Sequence, residues 1–525
     1  MHDDTILPST GTRPSTSTGE STATRRPGRR VSAFTDDVLG DDDAVALAAR
    51  VASGEVASVE LVDAAIARAE RVNVDLNAVT VWDTDRARET ATGDLDGVFA
   101  GVPSFVKAIS SFAGLPNRWG SRATPDTPAV AHAPEVEQFV STGLVSLGLT
   151  TTPEFGLIAT TEAALTGRTR NPWSFEHSSG GSSGGSAAMV GAGVVPIAHA
   201  SDGGGSIRIP AACCGLVGLK PSRGRIAAEP LPKISPIDFA INGVVSRTVR
   251  DTATFLHGAE QFRPGTGLPR IGHVTGPGDR RLRIGVVGQR DDQVDYDSAT
   301  TAELLRVAGL LEELGHDVEL IPSPFPADLA DDFVLLWSMF PFLLWHGGAK
   351  LFGDGWDRDL LEPFAKWLVR YFRRRAVTAP AAFRRLRRFV DEYPAAYARH
   401  DVLLTPTLGG PVHRLGYLAP DLPGEVQMAR VRAQVPTTWI HNAGGGPAVS
   451  LPLAGDADGL PMGMQFAADV GNEAMLLGLA YELEAAQPWP TLAASDPAGR
   501  SVAAPAGVAP PTPPSSGRVD GEEVA

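Results

Sequence analysis

Hydrophobic and polar positions alternate along the first part of the chain as they do in helices followed by short buried strands. Asp43 can cap a helix that runs to Val51, and Ser58 can cap a second helix. Apolar residues recur along one face of that second helix, at Val59, Val62, Ile66 and Ala69. The apolar runs at 78–82 and 101–109 have the length of strands. This part of the chain therefore predicts two helices and then two strands.

The second half of the chain has the pattern of a β-α-β unit. A strand-like run at 282–288 precedes a helical pattern at 300–316, and another strand-like run follows at 317–322. Further helical patterns occupy 248–262 and 472–487. Strands that alternate with helices in this way predict an α/β fold with a largely buried sheet.

The two ends of the chain lack such patterns. Residues 1–32 are rich in Ser, Thr, Pro and Gly, and residues 491–525 are rich in Ala, Pro and Ser. Segments of this composition cannot bury enough apolar surface to offset the entropy of ordering. We therefore predict disordered tails at 1–32 and 491–525 around one folded domain at 33–490.

The most unusual stretch of the sequence, residues 177–224, contains two loops of glycine and serine. The loops at 180–186 and 203–206 are separated by an apolar run rich in Ala and Val. Glycine at this density lets backbone N–H groups approach a ligand closely. A flexible linker has a similar composition, but a linker is not followed by an apolar run that needs a core. We therefore interpret both loops as parts of a folded region.

A short motif in the first loop, residues 181–185, fits the G-x-S-x-G nucleophile elbow of α/β-hydrolases, with Ser183 as the nucleophile. That elbow needs a hydrophobic strand that leads into the turn. Pro172, Glu176 and His177 occupy the positions where such a strand should lie. We therefore do not expect Ser183 to be a nucleophile.

Longer segments of the chain resemble the amidase signature family. The resemblance rests on GGSSGGSAA at 180–188 and on SDGGGSIRIPAACCGLVGLKPS at 201–222, which are long and specific motifs. Other segments that match the family pattern are 101–116, 152–173, 401–408 and 447–466. The resemblance extends from about residue 34 to 489, and it is stronger to hydrolytic amidases, including those that open aminohexanoate amides. It implies a single domain with a central mixed, twisted sheet flanked by helices.

The resemblance also implies roles for three side chains and one loop. Ser206 matches the acylated nucleophile, Lys107 matches the base, and Ser182 matches the serine that bridges them. In the family, a cis peptide bond precedes the bridging serine. The backbone N–H groups of the second loop would form the oxyanion hole, at Gly203, Gly204, Gly205 and Ser206.

Lys107 is unusual because it lies between Val106 and Ala108 in a predicted strand. Removal of an ammonium group from water lowers its pKa, so a buried Lys107 can serve as a neutral base. The alternative is an edge-strand lysine whose ammonium group stays in water. Two positions depart from the family pattern, because Ala108 replaces a common Asp and Ala200 replaces a common Gly. The first departure leaves open which polar group orients Lys107.

Composition and charge narrow the classes of function. The net charge of −15 and the pI of about 5.2 argue against general affinity for nucleic acids or anionic membranes. The longest apolar run, 333–345, is too short to span a bilayer, and it fits a buried helix or the lining of an apolar pocket. The arginines within 366–399 fit a solvated helix face better than a phosphate site. Cys213 and Cys214 are adjacent and indicate buried thiols in a reducing compartment.

These observations predict a cytoplasmic amidase without a cofactor. The sequence contains no P-loop motif, and its histidines lack metal-ligand spacing, so we expect neither a nucleotide nor a metal. The expected partner is a small-molecule amide, with no nucleic acid and no membrane, and a homodimer is left open. Two alternatives remain, the A subunit of a tRNA-dependent amidotransferase and a catalytically silent scaffold. The acyl group, the leaving amine and the choice between lactams and linear amides are also left open.

Overall fold

The computed structural model describes residues 29–228, 237–288 and 296–493 of the chain. Most of the two predicted tails, 1–32 and 491–525, lies outside the described residues, so their disorder stays a prediction.

The ends of the described chain contact each other and the domain. Residues 29–32 and 491–493 belong to the predicted tails, yet the Ser32 hydroxyl donates a hydrogen bond to the Leu492 carbonyl at 3.2 Å. The Leu492 side chain is buried. The folded region therefore extends a few residues beyond 33–490 at each end.

Fourteen α-helices occur in the described residues. They are α1 (Ala44–Ala52), α2 (Ser58–Leu76), α3 (Thr84–Ala91), α4 (Pro134–Val140), α5 (Gly184–Gly191), α6 (Arg208–Cys214), α7 (Val249–Phe262), α8 (Ser298–Glu313), α9 (Leu329–Phe352), α10 (Pro363–Arg375), α11 (Ala379–Glu392), α12 (Gly424–Gln434), α13 (Thr438–Gly444) and α14 (Glu473–Ala486).

Local capping explains where the first helices begin. The Asp43 carboxylate accepts a hydrogen bond from the Ala46 N–H at 2.9 Å, which confirms it as the N-cap of α1. The prediction of Ser58 as the cap of α2 is wrong by one position, because the N-cap is Ala57. The Ser58 hydroxyl instead donates to the Gly101 carbonyl at 2.9 Å and ties the start of α2 to the following strand.

Fifteen β-strands occur in the same residues. They are β1 (Val79–Trp82), β2 (Pro103–Lys107), β3 (Val145–Thr150), β4 (Glu162–Ala163), β5 (Gly167–Arg168), β6 (Arg170–Asn171), β7 (Ser174–Ser178), β8 (Ile197–Asp202), β9 (Val217–Lys220), β10 (Ile241–Ser246), β11 (Arg283–Val287), β12 (Asp317–Ile321), β13 (Val402–Pro406), β14 (Ala448–Gly455) and β15 (Pro461–Ala467).

Eight strands form one mixed sheet, which confirms the predicted α/β fold. Their order is β12-β11-β13-β15-β14-β9-β10-β8. Strand β11 is parallel to both β12 and β13, as the predicted β-α-β unit requires, and the remaining neighbours are antiparallel. Strands β1, β3 and β2 form a separate three-stranded sheet. Most strands of the large sheet are buried on both faces because helices cover it, whereas the edge strand β12 is largely exposed.

The two sheets meet where β2 lies beside β8. The buried Ser104 hydroxyl on β2 donates to the Ile197 carbonyl on β8 at 2.7 Å. Lys107 is the last residue of β2, and Ser201 and Asp202 end β8. The ends of two strands from different sheets therefore place a lysine, a serine and an aspartate in one region.

The glycine loops lead directly into two fully buried helices, α5 and α6. A Cβ atom at Gly184 would lie 2.3 Å from Thr161 Oγ1, and one at Gly185 would lie 2.5 Å from the Thr151 nitrogen. No side chain fits in these spaces. Part of the glycine content of the first loop is therefore required by helix packing and not by a ligand.

The remaining sequence predictions concern helices on the outside of the sheet. The apolar run 333–345 lies within α9, and no helix in the described residues is long and apolar enough to cross a membrane. The arginines of α10 and α11 lie opposite buried faces that contain Leu368 and Leu386, as a solvated helix face predicts. Cys213 and Cys214 are free and buried.

Candidate active site

Lys107 is fully buried, which excludes the edge-strand alternative. Its Nζ donates to Ser182 Oγ at 2.7 Å and to Ser201 Oγ at 2.9 Å. The Ala108 N–H donates to the Thr150 carbonyl at 3.0 Å, so β3 holds the backbone beside the lysine. Two serine hydroxyls thus orient the ammonium group, and Ala108 does not take part through its side chain.

Burial lowers the pKa of Lys107 from its ordinary 10.5 to about 7, although the negative charge of Asp202 offsets part of the effect. About half of the Lys107 side chains are then neutral at pH 7, whereas only about one free lysine in three thousand is neutral there. A neutral amine beside a hydroxyl can accept a proton from it. Lys107 therefore meets the electrostatic condition for a base.

The first glycine loop holds Ser182 against Lys107. The peptide bond between Gly181 and Ser182 is cis. A Cβ atom at Gly181 would lie 2.5 Å from the Thr160 nitrogen, and one at Gly156 would lie 3.1 Å from Ser182 Oγ. Backbone on two sides therefore confines Ser182, which is buried with its hydroxyl on the lysine.

Ser183, the candidate of the rejected elbow motif, has a structural contact. Its hydroxyl accepts from the Ser201 N–H at 3.3 Å and donates to the Ser201 carbonyl at 3.2 Å. A strand does lead towards this loop, contrary to our expectation, because β7 spans Ser174–Ser178. That strand pairs with β6 in a two-stranded ribbon outside the central sheet, and His177 forms an isolated bridge to Arg414. Ser183 is fully buried and does not occupy the tip of an elbow.

The second glycine loop is organised by the Asp202 carboxylate. It accepts hydrogen bonds from the backbone N–H groups of Gly205 at 2.7 Å and Ile207 at 3.1 Å, and from Arg208 Nε at 2.9 Å. Burial by itself would raise the pKa of Asp202, but the charge and hydrogen bonds of Arg208 outweigh it and hold the pKa well below its usual range. Asp202 is therefore an ionised anchor around which the loop turns.

Arg208 ties this anchor to the C-terminal part of the chain. The guanidinium group is fully buried, and it donates to the Thr438 carbonyl at 2.8 Å, to Gln465 Oε1 at 2.7 Å and to Asn442 Oδ1 at 2.7 Å. A buried guanidinium needs such partners because each unpaired N–H group is costly. The loop geometry therefore depends on residues more than 200 positions away.

The peptide group between Gly204 and Gly205 is held from both sides. The Thr438 hydroxyl donates to the Gly204 carbonyl at 2.5 Å, while the Gly205 N–H is bound to Asp202. The Gly205 N–H is thus already occupied, unlike the free donor that we predicted. In the part of the chain that the structure describes, the N–H groups of Gly203, Gly204 and Ser206 have no hydrogen-bond partner. These three remain as free donors of the predicted oxyanion hole.

Ser206 lies between this loop and α6, and its side chain is 8% exposed. Within the described residues, no hydrogen bond joins Ser206 to Ser182. The structure therefore brings Lys107 and Ser182 into direct contact, and it places Ser206 beside the free N–H groups of its own loop.

Three residues of this site were not predicted from the sequence. Ser201 and Asp202 belong to the same motif as Ser206, so their position in the chain was a usable signal. Thr438 lies in an unremarkable helical segment, and no local pattern points to its contact with Gly204. The other family departure, Ala200, is buried within β8 opposite Gly243 of β10 and has no polar function there.

In the described residues, no histidine is hydrogen-bonded to Lys107, Ser182 or Ser206. Burial, with a smaller contribution from Lys107, lowers the pKa of His199 to about 3, so its ring is neutral. The His177 ring contacts the Ser174 hydroxyl at 2.8 Å. In residues 29–228, 237–288 and 296–493, no group of three or more His, Cys, Asp or Glu side chains could hold a metal ion.

Known proteins resemble this chain over most of its length. The family model described as Amidase matches residues 60–477. The chain is 47% identical over 467 residues to "Putative amidase AmiC" of Mycobacterium tuberculosis, which covers 88% of this chain and 98% of that protein. It is 35% identical to the 6-aminohexanoate-cyclic-dimer hydrolase of Paenarthrobacter ureafaciens, over 85% of this chain and 95% of that protein. A solved 6-aminohexanoate cyclic dimer hydrolase in complex with substrate superposes with a TM-score of 0.76 and 32% identity, over 86% of this chain and 98% of the other.

Proposed function

This chain belongs to the amidase family and is a hydrolase that acts on amide C–N bonds, and we propose that it does so through an acyl-enzyme on Ser206. The observation that carries the proposal is the fully buried Lys107, whose Nζ lies 2.7 Å from Ser182 Oγ and whose pKa is about 7. A serine hydroxyl is a weak nucleophile without a base, and a neutral lysine supplies one.

In the proposed acylation step, Ser206 Oγ attacks the carbonyl carbon of the amide. Its proton passes to Ser182 Oγ while the Ser182 proton passes to Lys107 Nζ. Ser206 has to approach Ser182 for this transfer, and catalytic hydrogen bonds are often long before substrate binds and shorten in the complex. Lys107 then returns the proton through Ser182 to the nitrogen of the leaving group, the C–N bond breaks, and the acyl group stays on Ser206 as an ester.

Deacylation uses the same groups in reverse. A water molecule attacks the ester carbonyl and gives its proton to the relay of Ser182 and Lys107. The proton returns to Ser206 Oγ as the ester bond breaks, and the carboxylic acid leaves and ionises in solution. Ammonia or an amine and a carboxylate are the products.

The negative oxygen formed in both steps needs hydrogen-bond donors. The unpaired N–H groups of Gly203, Gly204 and Ser206 are the donors that we assign to it. Asp202 and Thr438 hold the Gly204–Gly205 peptide between them, so the position of this peptide is set before substrate binds. Donors fixed in advance stabilise a developing charge better than donors that must reorient.

We propose that the chain acts alone on small amides, without a partner chain, tRNA or ATP. The hydrolase of Paenarthrobacter ureafaciens is named for a cyclic amide, which makes lactams and linear amides reasonable first substrates. Purified protein is assayed for ammonia or amine release from both kinds of amide and from glutamine. Activity on glutamine alone, and only after partner subunits are added, would support the amidotransferase alternative instead.

The nucleophile is tested directly by labelling with a serine-directed fluorophosphonate, followed by peptide mass spectrometry. We expect label on Ser206 and none on Ser183. Ser206→Ala removes the label and the activity, whereas Ser183→Ala is the matched control that keeps the label. Label on Ser183, or an active Ser206→Ala variant, contradicts the proposal.

A further inference from the structure

One face of α9 carries three aromatic side chains at helical spacing. They are Phe333, Trp337 and Phe340. Positions i, i+4 and i+7 of a helix lie on the same side, so these rings form one stripe along its surface. Trp337 and Phe340 are partly exposed, although most of the surrounding apolar run is buried. Two of the three rings are therefore accessible, whereas Phe333 is buried.

The first half of the stripe contacts the second glycine loop. A Cβ atom at Gly203 would lie 2.8 Å from the Trp337 ring, and one at Gly204 would lie 3.6 Å from the Phe333 ring. The Phe333 ring also packs against Trp439 in a tilted arrangement, with 5.2 Å between the ring centroids. Aromatic rings thus lie against the two glycines whose N–H groups are free.

The second half of the stripe reaches the first glycine loop. The Phe340 ring lies 6.5 Å from Trp119 and 6.2 Å from Phe155, measured between ring centroids. Phe155 directly precedes Gly156, which packs on Ser182 Oγ. The stripe and its neighbours therefore form an aromatic wall that extends from the oxyanion loop to the relay serine.

The backbone of this wall has an unusual conformation. Trp119 and Phe155 both have φ values of +51°, and these are two of only three such non-glycine residues in the described chain. Bulky residues in the left-handed region are uncommon, and they occur most often at sites that hold ligands. The two rings are tilted by 56° to each other, with 6.2 Å between their centroids.

Two acidic side chains of α9 near the stripe form ion pairs with arginines of other helices. Asp332 of α9 forms an ion pair with Arg385 of α11, and Asp331 pairs with Arg432 of α12. None of the aromatic side chains that form the wall carries a charge, and their hydrogen-bond donors are indole N–H groups alone. A charged substrate group on this surface would lose its hydration without gaining an opposite charge.

We propose that the aromatic wall binds an uncharged, apolar group of the substrate, so that the preferred substrates are amides with an aliphatic or aromatic substituent. This inference rests on the proposed function at Ser206, because the wall adjoins that loop. It assigns Trp337 as the main determinant of specificity, since its ring contacts the loop directly. The apolar run of α9 thus serves both as core and as pocket lining.

The test compares kcat/KM for four amides. Acetamide is the small reference, hexanamide extends it on the acyl side, acetanilide extends it on the amine side, and succinamate carries a carboxylate. We expect the wild-type protein to prefer hexanamide or acetanilide to acetamide by about tenfold or more, as a hydrophobic pocket does, and to disfavour succinamate.

Two variants change the wall, and one serves as the control. Trp337→Ala is expected to reduce the preference for the extended amides about tenfold, with a smaller effect on acetamide. Trp337→Lys is expected to do the same and to raise kcat/KM for succinamate. Phe342→Ala removes an aromatic ring from the opposite side of α9, where it packs on Phe372 at 4.8 Å, and it should leave the preferences unchanged.

Fluorophosphonate labelling of Ser206 is measured for every variant, because it reports the nucleophile independently of substrate choice. The inference is overturned if both Trp337 variants are labelled normally and keep the wild-type substrate preferences. It is also overturned if Phe342→Ala changes these preferences as much as the Trp337 variants do. The proposed function stands in both cases. Absence of label and of all amide hydrolysis in the wild-type protein overturns both. A shift confined to the Trp337 variants supports the inference.

Discussion

In the described residues, two lysines are fully buried at the ends of strands, yet their surroundings differ. Lys107 ends β2 and donates to the hydroxyls of Ser182 and Ser201 at 2.7 and 2.9 Å. Lys220 ends β9 and donates to the backbone carbonyl of Pro221 at 2.8 Å. Burial lowers the pKa of both side chains, and the charge of Arg208 lowers that of Lys220 further.

The difference shows that a lowered pKa is not enough to identify a base. A carbonyl oxygen has no proton to give, so Lys220 cannot pass one on through its partner. A hydroxyl can lose and regain a proton, so Lys107 lies at the end of a possible relay. The two lysines therefore differ in the group that accepts a hydrogen bond from the amine, and not in the burial of the amine.

The largest expected effect comes from replacing the two lysines in turn. Lys107→Ala and Lys107→Arg should each lower kcat about 10⁴-fold or more, because alanine has no base and guanidinium does not deprotonate in proteins. Lys220→Met should leave kcat near the wild-type value. Steady-state assays with purified variants check this, with the melting temperature as evidence of folding. An active Lys107→Arg variant would show that Lys107 is a structural charge.

The pH dependence of kcat/KM should follow Lys107 and not Lys220. The neutral amine is the active form, so activity should fall about tenfold per pH unit as the pH drops below about 7, and level off above it. Lys220→Met should keep this limb. If kcat/KM is constant between about pH 5 and 9, Lys107 is not the base. If the profile shifts in Lys220→Met, Lys220 also contributes to it, and the two lysines do not differ in function.

Variants of Thr438 test whether catalysis also depends on the fixed position of the second glycine loop. Thr438→Val removes the hydrogen bond to the Gly204 carbonyl and should lower kcat about tenfold or more, with a smaller change in KM, because the oxyanion donors lose their position. Thr438→Ser keeps the hydroxyl and should restore most of the activity. Equal loss in both variants would assign Thr438 to packing alone.

The smallest effect concerns the buried carboxyl groups of Glu154 and Glu362, whose raised pKa values lie close to the pKa of Lys107. Glu154 Oε2 accepts the backbone N–H of Glu362 at 2.9 Å, and burial raises the pKa of both side chains, with the charge of Glu154 raising that of Glu362 further. A raised pKa in the folded state means that stability is fully present below the ordinary carboxyl pKa and is lost as the pH rises.

The melting temperature should therefore fall by a few degrees, at about 1 °C per kcal/mol for a domain of this size, as the pH rises from about 5 to about 8. Glu362→Gln should reduce the change of melting temperature with pH and leave the fall of kcat/KM below about pH 7 in place. If that fall in kcat/KM disappears in Glu362→Gln, the carboxyl pair, and not Lys107, controls the pH profile of activity.

Local signals were sufficient for much of the fold. The cap at Asp43, the strands at β11 and β12 and the helix between them follow from composition and periodicity over short windows. The error at Ser58 is one residue, because two adjacent positions compete for the cap and the Ser58 hydroxyl finds a distant carbonyl instead. The missed strand β7 is short and polar, so it carries none of the hydrophobic pattern by which strands are found.

The sequence by itself determined the family, the α/β class and the identity of Lys107, Ser182 and Ser206 as candidates, because these are written in contiguous motifs. Only the tertiary structure decided that Lys107 faces two hydroxyls while Lys220 faces a carbonyl, since both lie in similar apolar strands. It also decided that Thr438 holds the Gly204 carbonyl. Lys107 lies 75 and 94 positions from its two serines, and Thr438 lies 234 positions from Gly204. The periodicity of a chain contains no information about which distant segment will pack against it.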